Sequence, residues 1–331
     1  MILEPVIRER RDNMTSSQSI SVIVCAYTEA RWDELGTAID SLQNQSIPPD
    51  EIIIVIDHNP TLLERVRAHF TGVVVIENTH QRGLSGARNS GIAVAKGDVI
   101  AFMDEDAVAA PNWIERLKAG YADPQTLGVG GAIEPMWVTG RPTWFPNEFD
   151  WVVGCTYVGM PETQAPIRNL IGCNMSFKRE VFEAVGGFRD GIGRIGTLPV
   201  GCEETELCIR IKQHAPDSQL LYDPDARVQH RVPAQRATWN YFRSRCYSEG
   251  ISKALVARYV GTDSALASER KYTLVTLPKG VMRGVGSSIS DRDFKGLRRA
   301  SAIVLGLGIT TVGYMTGVLR DRVAALIARQ S

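Results

Sequence analysis

Gly97-Asp98-Val99-Ile100-Ala101-Phe102-Met103-Asp104-Glu105-Asp106-Ala107-Val108 decides how the chain is read. The apolar run Val99 to Met103 has the length of a short buried strand, and it stops in three carboxylates that an apolar interior could not hold unpaired. Those acids belong at the strand's open end. Ligands of α/β sheets bind outside the carboxyl ends of strands, and two acids spaced i, i+2 offer hard oxygens to Mg²⁺ or Mn²⁺. Asp104-Glu105-Asp106 therefore reads as a metal site for a phosphorylated ligand. An acidic surface turn has the same sequence, so the neighbouring stretches must decide.

Upstream, Ile20-Ser21-Val22-Ile23-Val24-Cys25-Ala26-Tyr27 is a strand of β-branched residues that opens into Thr28-Glu29-Ala30-Arg31. Helical spacing from Leu35 to Leu42 ends at Pro48-Pro49. Glu51-Ile52-Ile53-Ile54-Val55-Ile56-Asp57 is apolar throughout, as a parallel strand covered on both faces should be. A helical stretch, Leu62 to Phe70, and a third strand, Val73 to Glu77, lead to Arg82-Gly83-Leu84-Ser85-Gly86-Ala87-Arg88-Asn89. This alternation predicts an α/β fold with a doubly wound, mostly parallel sheet. Three strand ends then gather Tyr27, Asp57 and Asp104/Asp106 along one edge. There Tyr27 can stack on a base, Asp57 can accept from a base N–H, and Arg88 can meet a diphosphate, with a helix beginning near Ala87 behind Gly83 and Gly86. Ala26 and Glu29 flank Tyr27 and join the nucleotide-binding set with Asp104. The plain alternatives are Asp57 as a turn cap, Tyr27 as a core edge and Arg88 in a surface ion pair.

Downstream, a helix opens at Pro111-Asn112-Trp113 and extended structure resumes at Gly128 to Ile133. Between Trp137 and Tyr157 lie Trp144, Phe145, Phe149 and Trp151, either a plug for the core or a platform for sugar or lipid. Ile171 to Phe177 reads as a strand, Arg179 to Val185 as a helix, and Gly186 to Gly201 as a flexible glycine-rich segment able to close over a ligand. Cys202-Glu203-Glu204-Thr205-Glu206 follows, with carboxylates in a helix's first turn: capping by one reading, a general base by the other. Val228-Gln229-His230 ends another strand, and His230 is a candidate third metal ligand.

A length of 331 residues with 44% hydrophobic and 22% charged residues excludes a disordered or polytopic membrane chain. The zero net charge hides an asymmetry: 20 Lys and Arg against 31 Asp and Glu up to His230, then 17 against 6 from Arg231 onward. A basic end of that kind faces an anion. The six cysteines form no C-x-x-C pair and read as reduced, packed thiols of a cytosolic compartment, and Met1 to Ser19 lacks the apolar core of a secretory signal. Thr238 to Tyr259 is helical and basic, Tyr272 to Val285 has interfacial character, and the uncharged Ser301 to Leu319 would run roughly 28 Å as a helix. Membrane association follows; whether 301–319 spans is left open by its four glycines and several Ser and Thr, and Arg298, Arg299, Arg320 and Arg322 flank it on both sides, so no orientation follows.

Taken together these stretches resemble family 2 inverting glycosyltransferases of the GT-A fold, from about Ser19 to Tyr259. Ser21 to Tyr27 is similar to the family's opening strand, Asp57 to its base-recognising aspartate, Asp104-Glu105-Asp106 to its D-x-D metal motif, and Glu203-Glu204 to its usual Glu-Asp, whose second acid is the catalytic base. Thr28 stands for the more usual Asn, and His58-Asn59 for Gly-Ser. Val55 to Asn59, Gly83 to Arg88 and Phe145-Pro146-Asn147-Glu148-Phe149-Asp150-Trp151 resemble an actinobacterial and archaeal branch that includes glucosyl-dolichyl-phosphate glucuronosyltransferases. The resemblance implies a leader over 1–18, a catalytic domain over 19–260 with a nucleotide-binding half (19–110) and an acceptor half (111–260), and a basic tail over 261–331. It implies transfer from a nucleoside diphosphate sugar, most simply UDP-linked, to a glycan or lipid-linked acceptor at the cytoplasmic face of the membrane. Asp104, Asp106 and His230 would hold Mg²⁺ or Mn²⁺, Glu204 with Glu203 would supply the base, and no nucleic acid is involved. A nucleotidyltransferase would carry a glycine-rich, lysine-bearing loop after the first strand, which Tyr27 to Arg31 lacks; a non-catalytic membrane scaffold is the other alternative.

Overall fold

The computed structural model describes residues 18–189, 201–261, 271–290, 292 and 294–327, the last seven as backbone only. The expected leader over 1–18 and most of the glycine-rich segment lie outside the described residues. The chain divides into two units: Met1–Ala132, Glu162–Phe188 and Ile211–Gln229 form the first, and Ile133–Pro161, Arg189–Arg210 and His230–Ser331 the second.

The first unit is built on a sheet whose central strands are the apolar runs of the sequence. β1 (Ile20–Ala26) is buried throughout and pairs in parallel with β2 (Glu51–Ile56) and β4 (Val99–Asp104), while β3 (Val74–Glu77) extends the sheet beyond β2. Between them run α1 (Trp32–Gln43), α2 (Pro60–His69) and α3 (Leu84–Val94). α1 buries Leu35, Ala38, Ile39 and Leu42, one face at helical spacing. α2 starts at a proline behind Asn59, whose side chain accepts from the Leu62 N–H at 3.1 Å.

Beyond the parallel strands β3, β2, β1 and β4, the sheet takes up antiparallel pairings through β8. After β5 (Ala107–Ala109), α4 (Trp113–Gly120), β6 (Thr126–Trp137) and β7 (Ala165–Ile167), β8 (Asn174–Lys178) runs against β4 and leads into α5 (Arg179–Val185). α6 (Glu203–His214) and β9 (Gln219–Val232) follow, giving the order β3-β2-β1-β4-β8-β6-β9-β5 with β7 beside β9. Buried Asn174 accepts from Trp113 Nε1 at 2.8 Å and donates to the carbonyls of Ala132 and Ala226 at 3.0 and 2.7 Å. A polar side chain is tolerated there because every bond it offers is met.

α3 begins at Leu84, three residues before the expected Ala87. Gly83, at φ +127°, is its N-cap, and a Cβ at Gly86 would collide with the Gln81 carbonyl oxygen. The glycines therefore belong to the cap and first turn of the helix, and Arg88 lies inside it.

In the second unit the aromatic stretch is core. Phe145 and Phe149 are buried, and rings of Trp144, Trp239 and Phe242 close on them at centroid separations of 5.1 to 5.5 Å. Three helices complete this unit: α7 (Trp239–Val260), α8 (Leu277–Ser290) and α9 (Lys295–Ile327). α7 and α9 approach closely because Gly250 faces the Thr310 carbonyl and Gly313 faces the Tyr247 carbonyl, with no room for a Cβ at either.

Candidate active site

In the first unit, parallel register sets Ala26 beside Ile56 and Cys25 beside Asp104, so Tyr27, Asp57 and Asp104 emerge at one sheet edge. Tyr27 is 51% exposed, as a residue offering a stacking surface must be. Asn59 ties the two loops together, donating to the Tyr27 carbonyl and to Glu29 at 3.1 Å each. A backbone N–H and Asn59 hold the Glu29 carboxyl below its ordinary pKa. Asp57 accepts from Asn78 at 2.7 Å and from the Gly83 N–H at 2.9 Å, with His58 Nδ1 2.9 Å away. It thereby fastens the end of β2 to the start of α3. His58 itself adopts φ +50°, a strained conformation for a non-glycine residue.

The three successive acids divide. Glu105 and Asp106 turn inward onto Arg31, at 2.5 and 3.2 Å from its Nη1. Burial and the neighbouring Asp106 charge push Glu105 up to about 7, against the pull of Arg31. Asp104 turns outward, its side chain 29% exposed. Buried Arg88 donates to the Gly172 carbonyl at 3.1 Å and reaches Asp104 at 3.5 Å, with Phe102 and Phe188 rings against its guanidinium. That placement excludes the surface ion pair. The antiparallel return of β8 brings Cys173 beside Asp104, with Sγ and carboxylate oxygen within 4.8 Å.

A half-exposed carboxylate with one long contact retains lone pairs for a hard divalent cation, so Asp104 fits the expected Mg²⁺ or Mn²⁺. Asp106, in contrast, is occupied by Arg31. Of the sequence candidates, this unit brings together Ala26, Tyr27, Glu29, Asp57, Arg88 and Asp104. Arg31, Asn78 and Cys173 were missed; Arg31 alone had a signal, a cation next to a strand end whose neighbour ends in acids.

In the second unit, Glu203 and Glu204 open α6 behind Cys202, which adopts φ +73°. Strain of that kind in a non-glycine residue persists where the surroundings over-determine it. Here they do: Cys202 Sγ donates to Glu249 at 3.4 Å, the Gly201 N–H donates to Ser252 at 3.2 Å, and Cys202 packs with Ile209, Val256 and Val260. Burial and the Glu249 charge keep the Cys202 thiol protonated. Arg245 and Lys253 pair with Glu249 at 3.2 and 3.6 Å. Fully buried Glu206 is consumed by Arg189 at 2.6 Å and Arg210 at 2.7 Å, whereas Glu204 is only half-buried. His230 is buried in this unit with Nδ1 3.8 Å from Cys155 Sγ.

Residues 21–186 match the model of glycosyl transferase family 2. The chain is 37% identical over 241 residues to a glucosyl-dolichyl phosphate glucuronosyltransferase of Haloferax volcanii, covering 72% of this chain and 77% of that protein. It is 24% identical over 241 residues to the succinoglycan biosynthesis protein ExoM of Rhizobium meliloti, covering 70% and 72%. Among solved structures it superposes on the mannosyltransferase PcManGT of Pyrobaculum calidifontis, crystallised with GDP-Man and Mn²⁺, with a TM-score of 0.57 at 17% identity over 94% of both chains. The last likeness establishes the GT-A fold; the family match and the 37%-identical relative set aside the nucleotidyltransferase and scaffold alternatives. The chain belongs to glycosyltransferase family 2 and is a glycosyltransferase.

Proposed function

We propose that the chain moves a sugar from a UDP-linked donor to a hydroxyl of a lipid-phosphate-linked glycan, with inversion at the anomeric carbon, at the cytoplasmic face of the membrane. The observation that carries this reading is Asp104, a half-exposed carboxylate beside buried Arg88 at the sheet edge that also presents the Tyr27 ring. Tyr27 stacks on the base, and the second lone-pair site of Asp57 Oδ2 accepts from its ring N–H. Asp104, with Asp106 and His230 as further candidates, would hold Mg²⁺ or Mn²⁺, which offsets charge on the departing diphosphate when bound. Arg88 contributes a fixed guanidinium to the same charge.

Glu204 takes the proton of the acceptor hydroxyl, with Glu203 as its neighbour in the first turn of α6. The added methylene relative to Asp lengthens its reach without changing its chemistry. The acceptor class follows the relative from Haloferax, whose name specifies a sugar on dolichyl phosphate. The nucleotide-binding half corresponds to residues 19–110 and the acceptor half to 111–260.

Glu204→Gln tests the assignment. UDP affinity is expected to stay within about twofold while Mn²⁺-dependent turnover of UDP-sugars falls by about 10² to 10⁴, the usual worth of general base catalysis. Turnover at the parent rate would transfer the role to Glu203.

A further inference from the structure

The face of α9 turned away from its own unit is not explained by catalysis. Its reverse is lined by small residues, Ala302, Gly306, Thr310, Gly313 and Gly317, which let it lie against α7 and the aromatic core. Its outer side carries Leu297, Val304, Leu305, Val312, Met315 and Leu319, each 45% exposed or more. Apart from the adjacent Val304 and Leu305, these positions recur every three, four or seven residues and form one stripe. α8 carries a second stripe of Leu274, Met282, Val285 and Ile289, counting the turn before it, all exposed. The two stripes converge at the α8–α9 turn, where Val285, Ile289, Phe294 and Leu297 line a shallow cleft of about 390 Å³. An exposed apolar surface of this length on two adjoining helices marks an interaction site.

Charge identifies what covers it. Lys279, Arg292, Lys295, Arg298 and Arg320 lie on these two helices and their turn, and the sequence from 271 to 320 holds two carboxylates, Asp291 and Asp293. Apolar stripes edged by lysine and arginine fit an anionic bilayer, in which the stripes enter the acyl boundary and the cations meet phosphate. Membrane crossing is a different matter. The window of α9 from Lys295 to Arg320 is long and apolar enough to cross. It is, however, packed on α7, which carries the Arg245, Glu249 and Lys253 ion group. Crossing would draw those charges into hydrocarbon or strip α9 from α7.

We infer that α8 and α9 form an in-plane anchor: the protein binds the surface of an anionic bilayer through the Leu274–Ile289 and Leu297–Leu319 stripes, and no segment of α9 spans. This rests on the membrane placement proposed above and adds its geometry. Nucleotide binding measured in parallel separates its failure from failure of the transferase reading.

The test is co-sedimentation of the full chain with phosphatidylcholine vesicles, with and without about one third phosphatidylglycerol, followed by alkaline carbonate extraction. The anionic vesicles should bind it at least tenfold more tightly, since each basic residue near such a surface is worth about fivefold. Carbonate should then release it. Leu305→Asp with Val312→Asp, both exposed and outside the nucleotide site, should lower vesicle binding by roughly tenfold or more while UDP binding stays unchanged. Should that double variant misfold, Arg292→Glu with Arg298→Glu should abolish the preference for anionic vesicles. Retention in the carbonate pellet would establish a span and overturn the inference. Equal binding to both vesicle types, or vesicle binding unaffected by the variants, would overturn it too. So would no vesicle binding, and a dimer in light scattering would then give the face to a second copy.

Discussion

Three carboxylates follow one another at the end of β4, and their environments make them chemically different residues. Asp104 is outward and partly solvated, while Glu105 and Asp106 share the single guanidinium of Arg31. Burial, with the adjacent Asp106 charge, raises Glu105 against the pull of Arg31. A raised carboxyl pKa stabilises the fold below its unfolded value, near pH 4.5, and that contribution is lost as pH rises toward 7. Metal-free protein should therefore melt at progressively lower temperature from pH 5 to 7.5, and Glu105→Gln should flatten the dependence in a calorimetric series. An identical slope in both proteins would show that Glu105 carries no proton there. Arg31→Ala should cost more, about 3 kcal/mol, by leaving two buried acids unpaired, measured by urea denaturation. The acids themselves were legible in the sequence because charges ending an apolar run have few places to go. Their division was not, since it depends on a residue more than seventy positions away.

Elements were legible where burial imposes a period and less so where tertiary contacts set the ends. β1, β2 and β4 follow from unbroken apolar runs. The start of α3 was misplaced because glycines that normally end a helix here cap and open one, under the constraint of Gln81 and Asp57. The antiparallel course of β8 left no local signal; it becomes visible only through Asn174, which bonds three separate segments. Asn174→Leu should destabilise by about 2 to 4 kcal/mol, because it orphans the Trp113 N–H and two carbonyls. A loss below 0.5 kcal/mol in denaturant titration would contradict that account. Between α7 and α9, Gly313→Leu should cost about 1 to 3 kcal/mol or more by forcing the helices apart. If its unfolding midpoint matches the parent, the close approach is not a source of stability.

At the scale of the whole molecule, charge and chain path carry the information. The acidic first 230 residues include the sheet-edge carboxylates of the first unit, and the basic remainder includes the apolar-faced helices of the second. The division into two interleaved units was not legible, because the chain crosses between them five times, three of them inside β6, α6 and β9. No periodicity marks such crossings; only long-range packing does. The α/β sheet followed from the strand ends and the acidic motif together, and the GT-A family from the resemblance that those stretches carry. In the proposed function this edge binds a nucleoside diphosphate through a divalent cation. Calorimetric titration of the full chain with UDP, GDP and ADP, each with and without Mn²⁺, tests it most directly. Binding of UDP that needs Mn²⁺ and disappears in Asp104→Ala is the predicted result; equally tight binding without metal, or in the variant, would contradict it.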